Sequence, residues 1–216
     1  MKSKSLAAAV VLLLGSTYGA SAFAASNPVD TAGIQHNMYL SCLLDTGASP
    51  ADSLVYVVEK CGFDPGMSTA DYVKANQPIL DLDPTMPLAQ KMAPQRARYS
   101  AYEFSFFERI DQIVAKSADL DQAGAMFAEL EAEAIAQLDA KSRNGKTILG
   151  GLSVARHTTR FWAEYAAANG GGSETGKRRW WQWLIVAAVD VGGYLLSENV
   201  GTAASASNTV HGWFKP

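Results

Sequence analysis

Residues 120–140 read LDQAGAMFAELEAEAIAQLDA, and this stretch decides the fold class. Leu120, Ala123, Phe127, Leu130, Ala134 and Leu138 recur at the spacing that puts apolar side chains on one face of a helix. Asp119, just ahead of the run, suits a helix cap. The acidic residues Glu129, Glu131 and Glu133 then form the opposite face, which reads as solvated surface. A helix with one such apolar stripe must bury it against other elements.

The neighbouring segments supply those elements. From about Arg96 to Lys116, residues Tyr99, Tyr102, Phe106, Ile110 and Ile113 keep helical spacing. From Lys146 to Ala168, residues Leu149, Leu152, Thr159, Trp162 and Ala166 do the same, and Asn169 with Gly170-Gly171-Gly172 ends the run. Nearer the amino terminus a short helical pair is expected. Asp30 or Thr31 can cap a first helix reaching about Leu44, with Ile34, Met38 and Cys42 spaced by four. Ser49 caps a second helix with Pro50 at its first position, a stripe of Leu54, Val57, Val58 and Cys61, and Gly62 as its stop. Ser68 caps a short helix through about Asn76. Pro78, Pro84, Pro87 and Pro94 make residues 77–95 a loop or a string of short turns. Within it Asp81-Leu82-Asp83 does not continue as a calcium loop, because Met86 and Met92 stand where Gly and Glu are needed. The expected fold is all-α, a helical bundle in one domain over residues 25–172.

Residues 173–216 differ in character. Trp180 to Leu196 is an apolar helix interrupted by Asp190, short for a membrane span and charged inside. The last twenty residues are small and polar, and a fraying or irregular tail is expected.

At the other end, Lys2 and Lys4 precede the apolar run Leu6–Leu14, and Ala22-Phe23-Ala24 provides small residues at −3 and −1. Residues 1–24 therefore read as a secretory signal peptide, and the expected location is periplasmic or extracellular. The chain has 18 basic and 21 acidic residues, net −3, and losing Lys2 and Lys4 makes it more acidic. That balance excludes an overall nucleic-acid footprint. The charge is uneven: Lys177, Arg178, Arg179 and Lys215 outnumber Asp190 and Glu198 in the C-terminal part, so its apolar segment is also its basic one.

Cys42 and Cys61 are the only cysteines, and an oxidising compartment favours a bridge between them. A tight antiparallel hairpin would hold them about 10 Å or more apart, beyond the about 7 Å a disulfide spans. The bridge requires that the two helices cross steeply or that one ends early.

No catalytic or cofactor motif survives inspection. Gly171-x4-Gly176-Lys177 lacks the Ser or Thr of a phosphate-binding loop, carrying Arg178 there, and follows a helix instead of a strand. Ser153 in Gly151-Leu152-Ser153-Val154-Ala155 misses the second glycine of a nucleophile elbow and reads as a hydroxyl packed on a neighbouring helix. His36, His157 and His211 are scattered, so no metal site and no cofactor are expected. Arg156 and Asp190 are the charges most embedded in apolar helices, readable as a substrate or switch pair or, more simply, as structural ion-pair partners.

Three patches carry a resemblance. They are Gly33-Ile34-Gln35-His36-Asn37, Ser153-Val154-Ala155-Arg156-His157-Thr158-Thr159-Arg160-Phe161-Trp162, and Trp181-Gln182-Trp183 followed by Ala187, Asp190, Gly192 and Gly193. Their order resembles that in a loose group of small exported helical proteins of Bacteroidetes-type bacteria. The resemblance implies an exported helical protein in which His36, Asn37, Arg156, Trp162 and Asp190 matter more than their neighbours. It implies no activity.

Three functions remain. The first is a non-enzymatic exported or envelope-associated protein that acts by interaction. The second is a membrane-active, toxin- or bacteriocin-like protein, in which Arg178 and Arg179 beside Trp180, Trp181 and Trp183 meet a lipid interface or a partner protein through residues 177–196. The third is an enzyme built around His36 or Asp190, which lacks a visible acid, base or nucleophile partner.

Overall fold

A computed structural model describes residues 26–168 and 180–214. The expected leader, the Gly170–Gly172 run with its phosphate-loop-like sequence, and Lys177, Arg178 and Arg179 lie outside the described residues. Those described form helices α1 (Thr31–Asp45), α2 (Ser53–Glu59), α3 (Thr69–Leu80), α4 (Leu88–Met92), α5 (Ala101–Lys116), α6 (Leu120–Gln137), α7 (Arg143–Ala168), α8 (Trp180–Ser197) and α9 (Val200–Trp213). The chain is an all-α bundle.

Local chemistry places most helix starts. Ser49, Ser68 and Asp119 each accept a backbone N–H of the first turn that follows. α5 begins later than Arg96, because Ser100 and Glu103 close a reciprocal capping box, and residues 93–98 form a separate 3-10 turn. α3 continues past Asn76 to Leu80. Pro78 lies in its last turn, where a missing N–H costs a single bond. Asp30 stands at the N-cap of α1 but caps nothing, since its carboxylate is drawn to α7.

Cys42 and Cys61 lie at disulfide distance, with Cα atoms 5.8 Å apart. Of the two conditions set by helix length, early termination is met: α2 stops at Glu59, and Cys61 follows in a turn whose N–H bonds back to Tyr56.

α7 is the spine. α6 and α8 pack on it, and α1 runs parallel to it: Asn27 bonds the Leu149 carbonyl, Gly33 the Ser153 hydroxyl and Asn37 the His157 carbonyl. The expected irregular tail is instead α9, in which every residue from Gly201 to His211 is buried among α1, α2, α3 and α8. Asn199 caps it, accepting from Thr202 N–H. Several of its polar groups are paired inside the protein. Thr202 bonds Tyr72 and Asn76, Ser205 bonds the Ser53 carbonyl, and Asn208 donates to the Ala48 carbonyl and the Ser53 hydroxyl. A helix covered on all sides by close neighbours needs small residues and has no apolar stripe to announce it.

The α8–α9 connection is two residues long. Glu198 adopts a left-handed φ of 56°, a strained choice for a non-glycine residue, and its carboxylate is held by Arg98 and Arg143. Gly193 then lets the helices touch: a Cβ there would stand 3.0 Å from the Ala203 Cα.

Candidate functional site

Four of the five residues singled out by the exported-protein resemblance meet at the centre of the bundle. His36 and Asn37 come from α1, Trp162 from α7 and Asp190 from α8. His36 and Asp190 are both 0 % exposed. Asp190 Oδ2 accepts from the Thr158 hydroxyl and from Trp162 Nε1 at 3.2 Å. Its other oxygen faces His36 Nε2 at 3.8 Å, beyond a direct hydrogen bond. Asn37 donates its amide N–H to the His157 carbonyl, so its oxygen is the acceptor for His36 Nδ1 at 3.0 Å. This leaves Nε2 of a neutral His36 with a lone pair aimed at a carboxylate. Two buried acceptors do not face each other without a proton between them, so the pair holds one.

Electrostatics say where that proton sits. Burial pushes the Asp190 carboxyl up to about 7, against hydrogen bonds from Ser207, Thr158 and Trp162. Burial pushes His36 down to about 4, with the Asn37 bond opposing and the His157 charge adding to it. Between about pH 4 and 7 the neutral acid and neutral imidazole are the favoured forms. The arrangement stores a proton in the core. With both groups out of solvent, it does not present them to a substrate.

Arg156 does not join this site, and the pairing of Arg156 with Asp190 does not occur. Two residues along a helix is about half a turn, so Arg156 leaves the opposite side of α7 from Thr158. There it binds Asp30 and Glu131. Burial works to raise the Asp30 carboxyl, but bonds from His157 and Ser153 and the Arg156 charge hold it below the ordinary range. Glu131 is thus not solvated surface: it is buried, and it also accepts from Asn27 at 2.6 Å. Glu133 pairs with Arg109 and accepts from Tyr102, leaving Glu129 as the exposed member of that face. Ser153 packs against α1, donating to the Asp30 carbonyl and accepting from Gly33.

The aromatic residues separate into two sets. Trp162 stacks on Trp183 at 5.0 Å, and His211 and Tyr165 complete the cluster. Trp181 and Trp213 instead stand 45 % and 52 % exposed at the same end of the bundle, with Phe214 edge-on to Trp181 at 6.0 Å. Trp183→Ala is therefore expected to cost about 3 kcal/mol, and Trp181→Ala within about 0.5 kcal/mol. Chemical denaturation of the two variants checks this.

Sequence reasoning missed Ser207 and His211, because the segment that carries them shows no helical stripe. Thr158 lay inside a quoted patch without being singled out. Among the described residues no group of three His, Cys, Asp or Glu could hold a metal ion, and no helix is long and apolar enough to cross a membrane. The chain matches no family model, no curated protein and no solved structure.

Proposed function

We propose that this is an exported, non-enzymatic protein of the bacterial envelope that rests against an anionic lipid surface with its aromatic end. The carrying observation is the pair of exposed tryptophans, Trp181 at the start of α8 and Trp213 at the end of α9. Indole rings favour the boundary between water and hydrocarbon. In sequence, Lys177, Arg178 and Arg179 immediately precede α8, and Lys215 follows Phe214. Each basic group near an anionic membrane adds about 1 kcal/mol. The leader-like residues 1–24 and a cysteine pair at disulfide distance support export. Peripheral contact suits a chain in which Asp190 is turned into the core toward His36, which favours α8 staying packed.

The test is binding of the processed protein to vesicles of anionic and of zwitterionic lipid, read by tryptophan emission and dye release. The expected result is a blue shift with anionic vesicles only, without leakage. Partitioning should be about tenfold or more weaker in the Trp181→Ala/Trp213→Ala double variant. Leakage would replace this reading with the toxin-like one. No binding to either vesicle would leave a soluble partner protein as the target.

A further inference from the structure

A groove of about 310 Å³ opens between α4, α5, α8 and the turn that precedes α4, within the size range of small-molecule sites. Met86, Leu88, Ile110, Val114, Ile185 and Gly192 line it, and Asp111 stands in the same wall. Among these apolar walls stands the half-buried Lys91. Its ammonium makes one long bond, 3.4 Å to the Pro84 carbonyl. The nearby acids are engaged elsewhere. Asp111 accepts the Leu88 and Ala89 N–H groups at 2.6 and 2.9 Å, and Asp83 accepts from Thr85. Lys91 therefore keeps spare donors in a water-poor, apolar setting, where a charge needs a partner. Burial lowers its affinity for the proton, against the pull of Asp83 and Asp111.

A largely apolar trough whose ammonium keeps unfilled donors, beside an Asp111 carboxylate already taken by two backbone N–H groups, matches a ligand with an apolar body and one anionic head. We propose that this groove binds a single-chain amphiphilic carboxylate, its head on Lys91 and its chain along Ile110, Val114 and Ile185. Gly192 keeps the trough open: a Cβ there would meet only Leu88, at 3.9 Å. Trp181, Ile185, Ala188 and Gly192 follow one another on one face of α8, so the trough leads toward the aromatic end. The proposal does not require that end to touch lipid, and it is tested without a bilayer.

The experiment is calorimetric titration of protein expressed from the full chain with dodecanoate below its micelle concentration. Dodecanol and dodecyltrimethylammonium serve as uncharged and cationic controls. Dodecanoate is expected to bind at least about tenfold more tightly than either control. Lys91→Met, which keeps the apolar stem, should erase that preference. Gly192→Leu, which fills the trough, should abolish binding. Methyl chemical shifts of the unaltered protein give a readout independent of the variants: dodecanoate should move Leu88, Ile110, Val114 and Ile185. Absence of binding, an equal response to dodecanol, an unaffected Lys91→Met variant, or shifts confined to other methyls would each overturn the proposal. Binding of dodecanoate without vesicle binding would sink the lipid-surface reading and leave this one standing.

Discussion

A chain ending at Gly172 is expected to show no cooperative unfolding transition. The shortened chain lacks α8 and α9, which supply Leu184, Val186, Val191, Leu195 and Val210 to the core. At about 1.5–3 kcal/mol for each fully buried aliphatic side chain, these five alone rival the about 5–15 kcal/mol that holds a typical domain together. The loss does not stop at apolar cover. Tyr72 loses Thr202, and the Ala48 carbonyl and Ser53 hydroxyl lose Asn208, leaving polar groups shaped for partners that are gone. Trp162 loses its stacking partner Trp183, the tilted His211 ring and its acceptor Asp190. Far-ultraviolet circular dichroism during a urea titration decides the matter. A sharp transition in the shortened chain would mean that the preceding helices fold as a unit of their own.

The second large effect is a pair of opposite pH profiles. In the folded protein His36 is held at about 4 instead of 6.5, so between those values the unfolded chain binds more protons and stability falls as pH falls. Asp190 is held at about 7 instead of 3.8, so there the folded chain binds more protons and stability falls as pH rises. Together they nearly cancel: unfolding moves one proton from Asp190 to His36 without changing the count. Removing either partner uncovers the other. Asp190→Asn should lose stability relative to the parent from pH 6.5 toward 4, and His36→Gln should lose it from about pH 4 toward 7. Each difference approaches about 3 kcal/mol at its far end. The groups facing the pair are His157, Thr158 and Trp162 of α7, Asn37 of α1 and Ser207 of α9, with His211 of α9 against Trp162. The remaining ionisable groups are common to all three proteins and drop out of the difference. Urea midpoints taken at constant ionic strength across this range check the signs. Parallel profiles would show that the proton is not held where the geometry puts it.

The sequence made the outer bundle legible and left its centre obscure, for a physical reason. α5 and α6 each have a wet face, and α7 has one beyond Ala155, so burial writes a periodic stripe into them, and Asp119 and Ser68 mark where helices begin. α9 has no wet face. Its Thr202, Ser205, Ser207 and Asn208 look like a solvated tail until the carbonyls they meet are known. The site followed the same logic. His36, Asn37, Trp162 and Asp190 converge, but their convergence depends on a register between α1, α7 and α8 that no local pattern encodes. Arg156 shows the limit from the other side. Its setting among apolar residues suggested the core, yet a half turn of helix sends it to Asp30 and Glu131. The unfilled donors of Lys91 were invisible too, since only the fold reveals that Asp83 and Asp111 accept from backbone and Thr85 groups.

The bonds that close the core also prescribe an order of events. Asn27 waits for Glu131, 104 residues later, and the Ala48 carbonyl waits for Asn208, 160 residues later. The cysteine pair, 19 residues apart, is the local exception. Contacts so distant along the chain make folding slow, and here α9 fills the space among the much earlier α1, α2 and α3. A partly made chain therefore has no finished core to lock into. Under the export proposed above, such a topology is its own timer: the core cannot close until α9 has followed the helices it packs against.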